Sequence, residues 1–131
     1  MKVLVDTCVW SKVLRSDKPD IRLSKVLEDL IFDDRVLLIG HIYQEILSGV
    51  KTKRDFKLLT QAMEPFDQLE LKREVYLKAA EFYNVCKSCG INGGHVDFLI
   101  CAAAVEHHCK ILTIDADFKL FKQHLPIKLL D

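Results

Sequence analysis

Residues 1–10 read MKVLVDTCVW, and the fold turns on how the run Val3-Leu4-Val5 ends. A stretch of β-branched and leucine residues without polar alternation is the pattern of a strand buried on both faces. Such a strand commonly gives way to Gly, Asn or Ser; this one gives way to Asp6. An aspartate there can cap the next helix, which the pattern places at Cys8 to Arg15. It can also be the first member of a group of acids, if other strands deliver carboxylates to the same edge.

Two further segments repeat the pattern. Arg35 to Ile39 (RVLLI) ends at Gly40, and Lys110 to Ile114 (KILTI) ends at Asp115. Between them lie helical periodicities. Ile21, Leu23, Val26, Leu27, Leu30 and Ile31 mark a helix from about Asp20 to Phe32, and His41 to Val50 follows the second strand. Lys51 to Met63, Lys72 to Cys89 and His95 to His108 read as helices, and a short one follows Asp117 to about His124. Phe66 to Leu71 reads as an edge strand, and Ile127 to Leu130, after Pro126, as a last one. Strands alternating with helices predict an α/β fold around a mainly parallel sheet. No linker, repeat or low-complexity tract interrupts residues 1–131, so one domain is expected.

Half of the 131 residues are hydrophobic and the formal net charge is zero. That composition suits a globular chain with a real core. It argues against a protein that coats nucleic acid through bulk positive charge. Asp6 interrupts any apolar signal core, and the apolar run Phe98 to Val105 is too short to span a bilayer. Five cysteines without a secretion signal lead us to expect reduced thiols and a cytoplasmic location. Cys86 and Cys89 form a lone C-x-x-C without a second pair at zinc-ribbon spacing, and only His107, His108 and Cys109 cluster besides. Idle or buried thiols are the expectation.

In open parallel sheets, ligands bind beyond the carboxyl ends of the strands. Asp6 and Asp115 stand at two such ends, though capping would explain either alone. Asp97 heads a helix whose positions 100, 101 and 104 are Ile, Cys and Ala, so its carboxylate is expected to face inward. There it needs a cation or a proton, unless it only serves the first helical turn. Glu45 follows the second strand by one turn and alone reads as a solvated residue. Four carboxylates in one pocket could not all stay ionised without a cation. Oxygen donors in that number suit Mg²⁺ or Mn²⁺. Asp117 is a further acid that could ligate or fix the turn.

The segments VLVDTCVW, IYQEILSGV, VDFLICAAAVEHH and ILTIDADF, in that order, resemble the PIN domain. Within it they resemble the VapC toxin ribonucleases of bacterial toxin–antitoxin pairs. The resemblance covers essentially the whole chain. It implies a PIN-like three-layer fold, a central mainly parallel sheet flanked by helices. It also implies a metal-dependent endoribonuclease with Asp6, Glu45, Asp97 and Asp115 as its acids, leaving phosphate on the 5′ side of the product. A homodimer and a small inhibitory antitoxin are implied as well. Thr7 and Thr113 match hydroxyl positions beside the first and last acids. Cys8 stands where relatives more often carry Asn or Ser, and a thiol donates weakly.

Lys51, Lys53, Arg54 and Lys57, with Lys12 and Arg15, could hold flanking phosphates. They read equally as solvated faces. His41 and His95 are expected at the surface or in capping roles, and Trp10 and the phenylalanines in the core. Other classes fit less. A haloacid-dehalogenase-type phosphatase would need D-x-D at the first strand, where D-T-C stands. A receiver domain would need an acidic pair there and a late lysine. A catalytically silent PIN-like RNA- or protein-binding module keeps the fold without the reaction.

Overall fold

The computed structural model describes residues 1–15, 18 and 20–131. Strand β1 (Val3–Val5) is fully buried and central. It pairs in parallel with β2 (Val36–Leu38) on one side and β4 (Lys110–Leu112) on the other. The short edge strand β3 (Asp67–Gln68) adds to β2, giving the order β3-β2-β1-β4 with every pairing parallel. The expected last strand is reduced to a single parallel bridge, Ile111 with Leu129. Its two bonds run from Ile111 N–H to Lys128 O and from Leu130 N–H to Ile111 O, both 2.8 Å.

Crossovers between parallel strands need helices, and seven are present among the described residues. Helix α1 (Thr7–Arg15) leaves β1 directly, and α2 (Ile21–Phe32) is capped by Asp20, whose Oδ1 accepts the Leu23 N–H at 3.0 Å. Helix α3 (Gly40–Leu47) follows β2, and α4 (Lys53–Met63) is capped by the Thr52 hydroxyl. Helix α5 (Arg73–Ser88) ends where Gly90 takes φ 76°, a left-handed position that glycine adopts without a Cβ penalty. The Ile91 N–H returns to Cys86 O and the Gly90 N–H to Lys87 O, closing the carbonyls of the last turn.

Helix α6 (His95–Glu106) is the apolar spine. Phe98 to Ala104 are all buried, because the helix is packed against α5 and carries β4 at its exit. Alanines at 102, 103 and 104 let neighbouring backbone come close. Truncating a core residue such as Phe98 should cost about 3–5 kcal/mol. Helix α7 (Asp117–Lys122) buries Phe118 and Phe121 and closes the far side. Trp10 and Cys86 are core residues as expected, while Cys89 is exposed and all five thiols are free. No helix among the described residues is long and apolar enough to cross a membrane.

Candidate active site

All four strands point the same way, so β1 and β4, which pair in register from Val3 with Lys110 to Val5 with Leu112, release their chains side by side. The Asp6 N–H still bonds Leu112 O at 2.9 Å. Beyond that bond the two chains part, and their side chains are linked. Asp6 is the one buried charged residue of the described chain, 7 % exposed. Its Oδ2 accepts the Thr113 hydroxyl at 2.8 Å and the Cys8 thiol at 3.4 Å, and its Oδ1 accepts the Thr7 N–H at 2.8 Å. Capping in the usual sense would engage the second or third N–H of α1. Asp6 engages the first and turns its other oxygen across to β4.

Thr113 is the joint between the two ends of the chain. It donates to Asp6 and accepts the Asp115 N–H at 3.0 Å, so one hydroxyl orients two acids. Asp115 Oδ1 in turn accepts the Asp117 N–H at 2.9 Å, which starts α7. Asp115 is half-buried and Asp117 exposed. The Cys8 sulfur lies 3.4 Å from Thr113 Oγ1 as well, and burial pushes its thiol above the ordinary value. It therefore stays protonated and supplies its weak donor to Asp6. The Thr7 hydroxyl oxygen is buried and has no hydrogen-bond partner among the described residues.

Asp97 arrives from α6. Its Oδ2 accepts the Gly94 N–H at 2.9 Å, the helix-terminal arrangement, and its Oδ1 has no partner among the described residues. Burial pushes its carboxyl above the usual carboxylate range, and the Gly94 N–H opposes that shift. The charges of Asp115, Asp6 and Asp117 raise it further. Carboxylates at the ends of β1 and β4 therefore act on the one that α6 delivers.

Glu45 is placed differently. It is exposed on α3 and has no partner among the described residues. The acids share a field but are not drawn tight: among the described residues no group of three or more His, Cys, Asp or Glu side chains is set to hold a metal ion. Lys12, Lys51, Lys53, Arg54 and Lys57 are exposed and form no ion pair among the described residues. The Arg15 side chain lies outside what is described. His41 is half-buried and His95 exposed. His95 stacks on Tyr83, a contact the sequence does not announce, because the partners sit on different helices.

A family model described as PIN domain matches residues 3–123. No curated protein matches the sequence. Among solved structures, the chain resembles VapBC-1 from nontypeable Haemophilus influenzae at 16 % identity over 100 % of this chain and 98 % of that one, with a TM-score of 0.79. It resembles VapBC2 from Rickettsia felis, bound to a DNA fragment from their promoter, at 19 % identity, 100 % and 98 % coverage and a TM-score of 0.75. A toxin–antitoxin complex from Klebsiella pneumoniae is similar at 15 % identity, 89 % and 90 % coverage and a TM-score of 0.73. At these identities the likeness is one of fold.

Proposed function

The chain belongs to the PIN domain family, and on that premise we propose that it is a VapC-type toxin, a divalent-metal-dependent endoribonuclease. The observation that carries the reading is the Thr113 hydroxyl that orients both Asp6 and Asp115 at the carboxyl edge of the sheet, with the Asp97 carboxyl raised by burial and by Asp115, Asp6 and Asp117. Like charges at a strand edge disfavour one another, and such a field fits a site that receives cations.

The donor set fits Mg²⁺ or Mn²⁺: hard carboxylate oxygens from Asp6, Glu45, Asp97 and Asp115, with Asp117 beside them. The unpartnered Thr7 hydroxyl is a further oxygen at the same edge. When bound, the ion or ions would activate water and neutralise charge on the leaving 3′ oxygen. The chain's own part is orientation. Thr113 fixes the facing oxygen of Asp6 and the backbone of Asp115, and Gly94 fixes Asp97. Glu45, exposed on α3, enters this set through the family resemblance. Residues 1–131 act as one domain in this reading, in the cytoplasm, as a homodimer. The two-component names of the similar structures support a small antitoxin protein as its inhibitor.

The test is cleavage of a mixed RNA pool with Mn²⁺, with Mg²⁺ and with EDTA, beside Asp97→Asn. Cutting that needs the metal and is lost in the variant is the expected result. A folded protein that neither cuts RNA nor binds either ion would overturn the proposal. The exposed Glu45 favours one second reading, a silent RNA- or protein-binding module. RNA binding without cleavage under every metal would select it.

A further inference from the structure

On Asp6 one carboxylate oxygen is fully engaged before any ion arrives. Each oxygen of a carboxylate offers about two acceptor sites. On Oδ1 the Thr7 N–H, at 2.8 Å, takes one of them. On Oδ2 the Thr113 hydroxyl, at 2.8 Å, and the Cys8 thiol, at 3.4 Å, take both. Oδ2 is the oxygen turned across to the end of β4, where Asp115 follows two residues after Thr113. An ion that binds Oδ2 therefore displaces one of its two donors.

The two donors are unequal. Thr113 is held at the shorter distance and by a second bond, since its oxygen accepts the Asp115 N–H at 3.0 Å. A thiol is a weak donor, and this one has an alternative acceptor. The Cys8 sulfur lies 3.4 Å from Thr113 Oγ1, the same distance as from Asp6 Oδ2. Thr113 has one proton and gives it to Asp6, so in the contact with sulfur the thiol is the donor. The hydroxyl oxygen has two lone pairs; one holds the Asp115 N–H and the second is left for Cys8. The Ile114 backbone N–H bonds the sulfur itself and anchors it. The two acceptors are 2.8 Å apart, closer to each other than either is to the sulfur. Turning the hydrogen from one to the other thus takes a small rotation about the Cβ–Sγ bond and no movement of heavier atoms.

We propose that Cys8 is a yielding donor, a positioning residue that bonds Asp6 Oδ2 in the metal-free protein and turns its S–H to Thr113 Oγ1 when a divalent cation takes that oxygen. The inference rests on the metal-dependent reading and adds to it the oxygen that binds and the residue that releases it. The thiol keeps its proton throughout, so no charge is created at the strand ends. The buried Asp6 carboxylate is never left short of partners, which burial would make costly. Hydroxyl and amide donors hold a carboxylate more firmly than a thiol does, so sulfur at this position lowers the cost of clearing the oxygen. A side chain that merely buttresses a ligand acts in the opposite sense, and its removal weakens ion binding.

The experiment records the Raman S–H stretch of the whole chain in EDTA and in saturating Mg²⁺ or Mn²⁺, with ion affinity measured by calorimetry for wild type and Cys8→Ala. Cys8→Ala assigns the band, because the other four thiols remain; Cys8→Ser assigns it if the alanine variant does not fold. A carboxylate is the stronger acceptor, so the band should move to higher frequency when the ion binds. Folded Cys8→Ala should bind the ion within about three-fold of wild type or more tightly, because only one weak bond is exchanged for another. A band that stays in place with the ion bound would put the ion elsewhere than Oδ2 and overturn the proposal, leaving the metal reading standing. A larger loss of affinity in Cys8→Ala, toward roughly 10–100-fold, would show a buttress and equally overturn it. A wild type that binds neither ion would remove both readings together.

Discussion

The two ends of the sheet are built on opposite principles. At the amino end the two cations Lys2 and Arg35 are answered locally. Lys2 Nζ donates to Asp34 O at 2.9 Å and pairs with Asp67 at 3.9 Å, and Arg35 Nε donates to Met1 O at 2.7 Å. At the carboxyl end Asp6, Asp97, Asp115 and Asp117 are left facing like charges, and Asp97 is pushed toward its neutral form. One end ties strands together; the other spends stability on a field. The same parallel sheet produces both, because all its strands start at one edge and finish at the other.

The comparison is most exposed to failure at the acids themselves. Asp6→Asn or Asp97→Asn should lower metal-dependent cleavage by more than about 100-fold, beyond the roughly 10–100-fold typical of losing a partner behind a ligand. Thr113→Val removes such a partner and should fall within that 10–100-fold range, with Thr113→Ser recovering most of the activity. Cleavage that survives either acid substitution would mean that the carboxyl end is only a set of caps.

Stability should show the same asymmetry with the sign reversed. Asp97 is raised in the folded protein from an ordinary value of 3.8. Between that value and its raised one, the native state holds more proton than the unfolded chain, so stability falls as pH rises through the window. Asp97→Asn should abolish that decline and melt higher than wild type at neutral pH without metal, since its amide oxygen can still accept the Gly94 N–H. Added Mn²⁺ should reverse the order, raising wild-type stability by about 2.7 kcal/mol at a concentration of 100 Kd and the variant's much less. Thermal melts with and without EDTA read both effects. The smallest change belongs to the amino end: Lys2→Ala should shift stability by about 1 kcal/mol or less and leave cleavage unchanged, because its ion pair is exposed.

What the sequence disclosed follows the range of the forces involved. Strands β1, β2 and β4 are continuous apolar runs and fall inside their expected bounds, and Asp20 caps α2 where the periodicity begins. Those signals are local. Ile127 to Leu130 carries the composition of a strand yet forms one bridge, since pairing depends on a neighbour that composition does not describe. Topology places Asp6 and Asp115 at one edge, which the strand pattern conveys. The Thr113 hydroxyl joining them spans 107 residues of sequence and has no local signature. Asp97 was readable from its apolar stripe, whereas its bond to Gly94 satisfies the capping alternative as well. Glu45 carries no signature of its own beyond the resemblance, and its exposure agrees with its local sequence. The stacking of His95 on Tyr83 was illegible, because it joins two helices.

Trp10 is the only tryptophan of the chain. It is 2 % exposed, donates its Nε1–H to Val5 O at 3.2 Å and leans on Phe66 at 5.3 Å. Its own backbone N–H reaches Asp6 O at 3.5 Å. Residue 10 is thus tied to the strand end through its indole, at Val5, and through its backbone, at Asp6, one helical turn away. The molecule carries an intrinsic optical gauge there: its emission should be blue-shifted when folded, so loss of packing at the strand end can be followed in real time without attaching a dye.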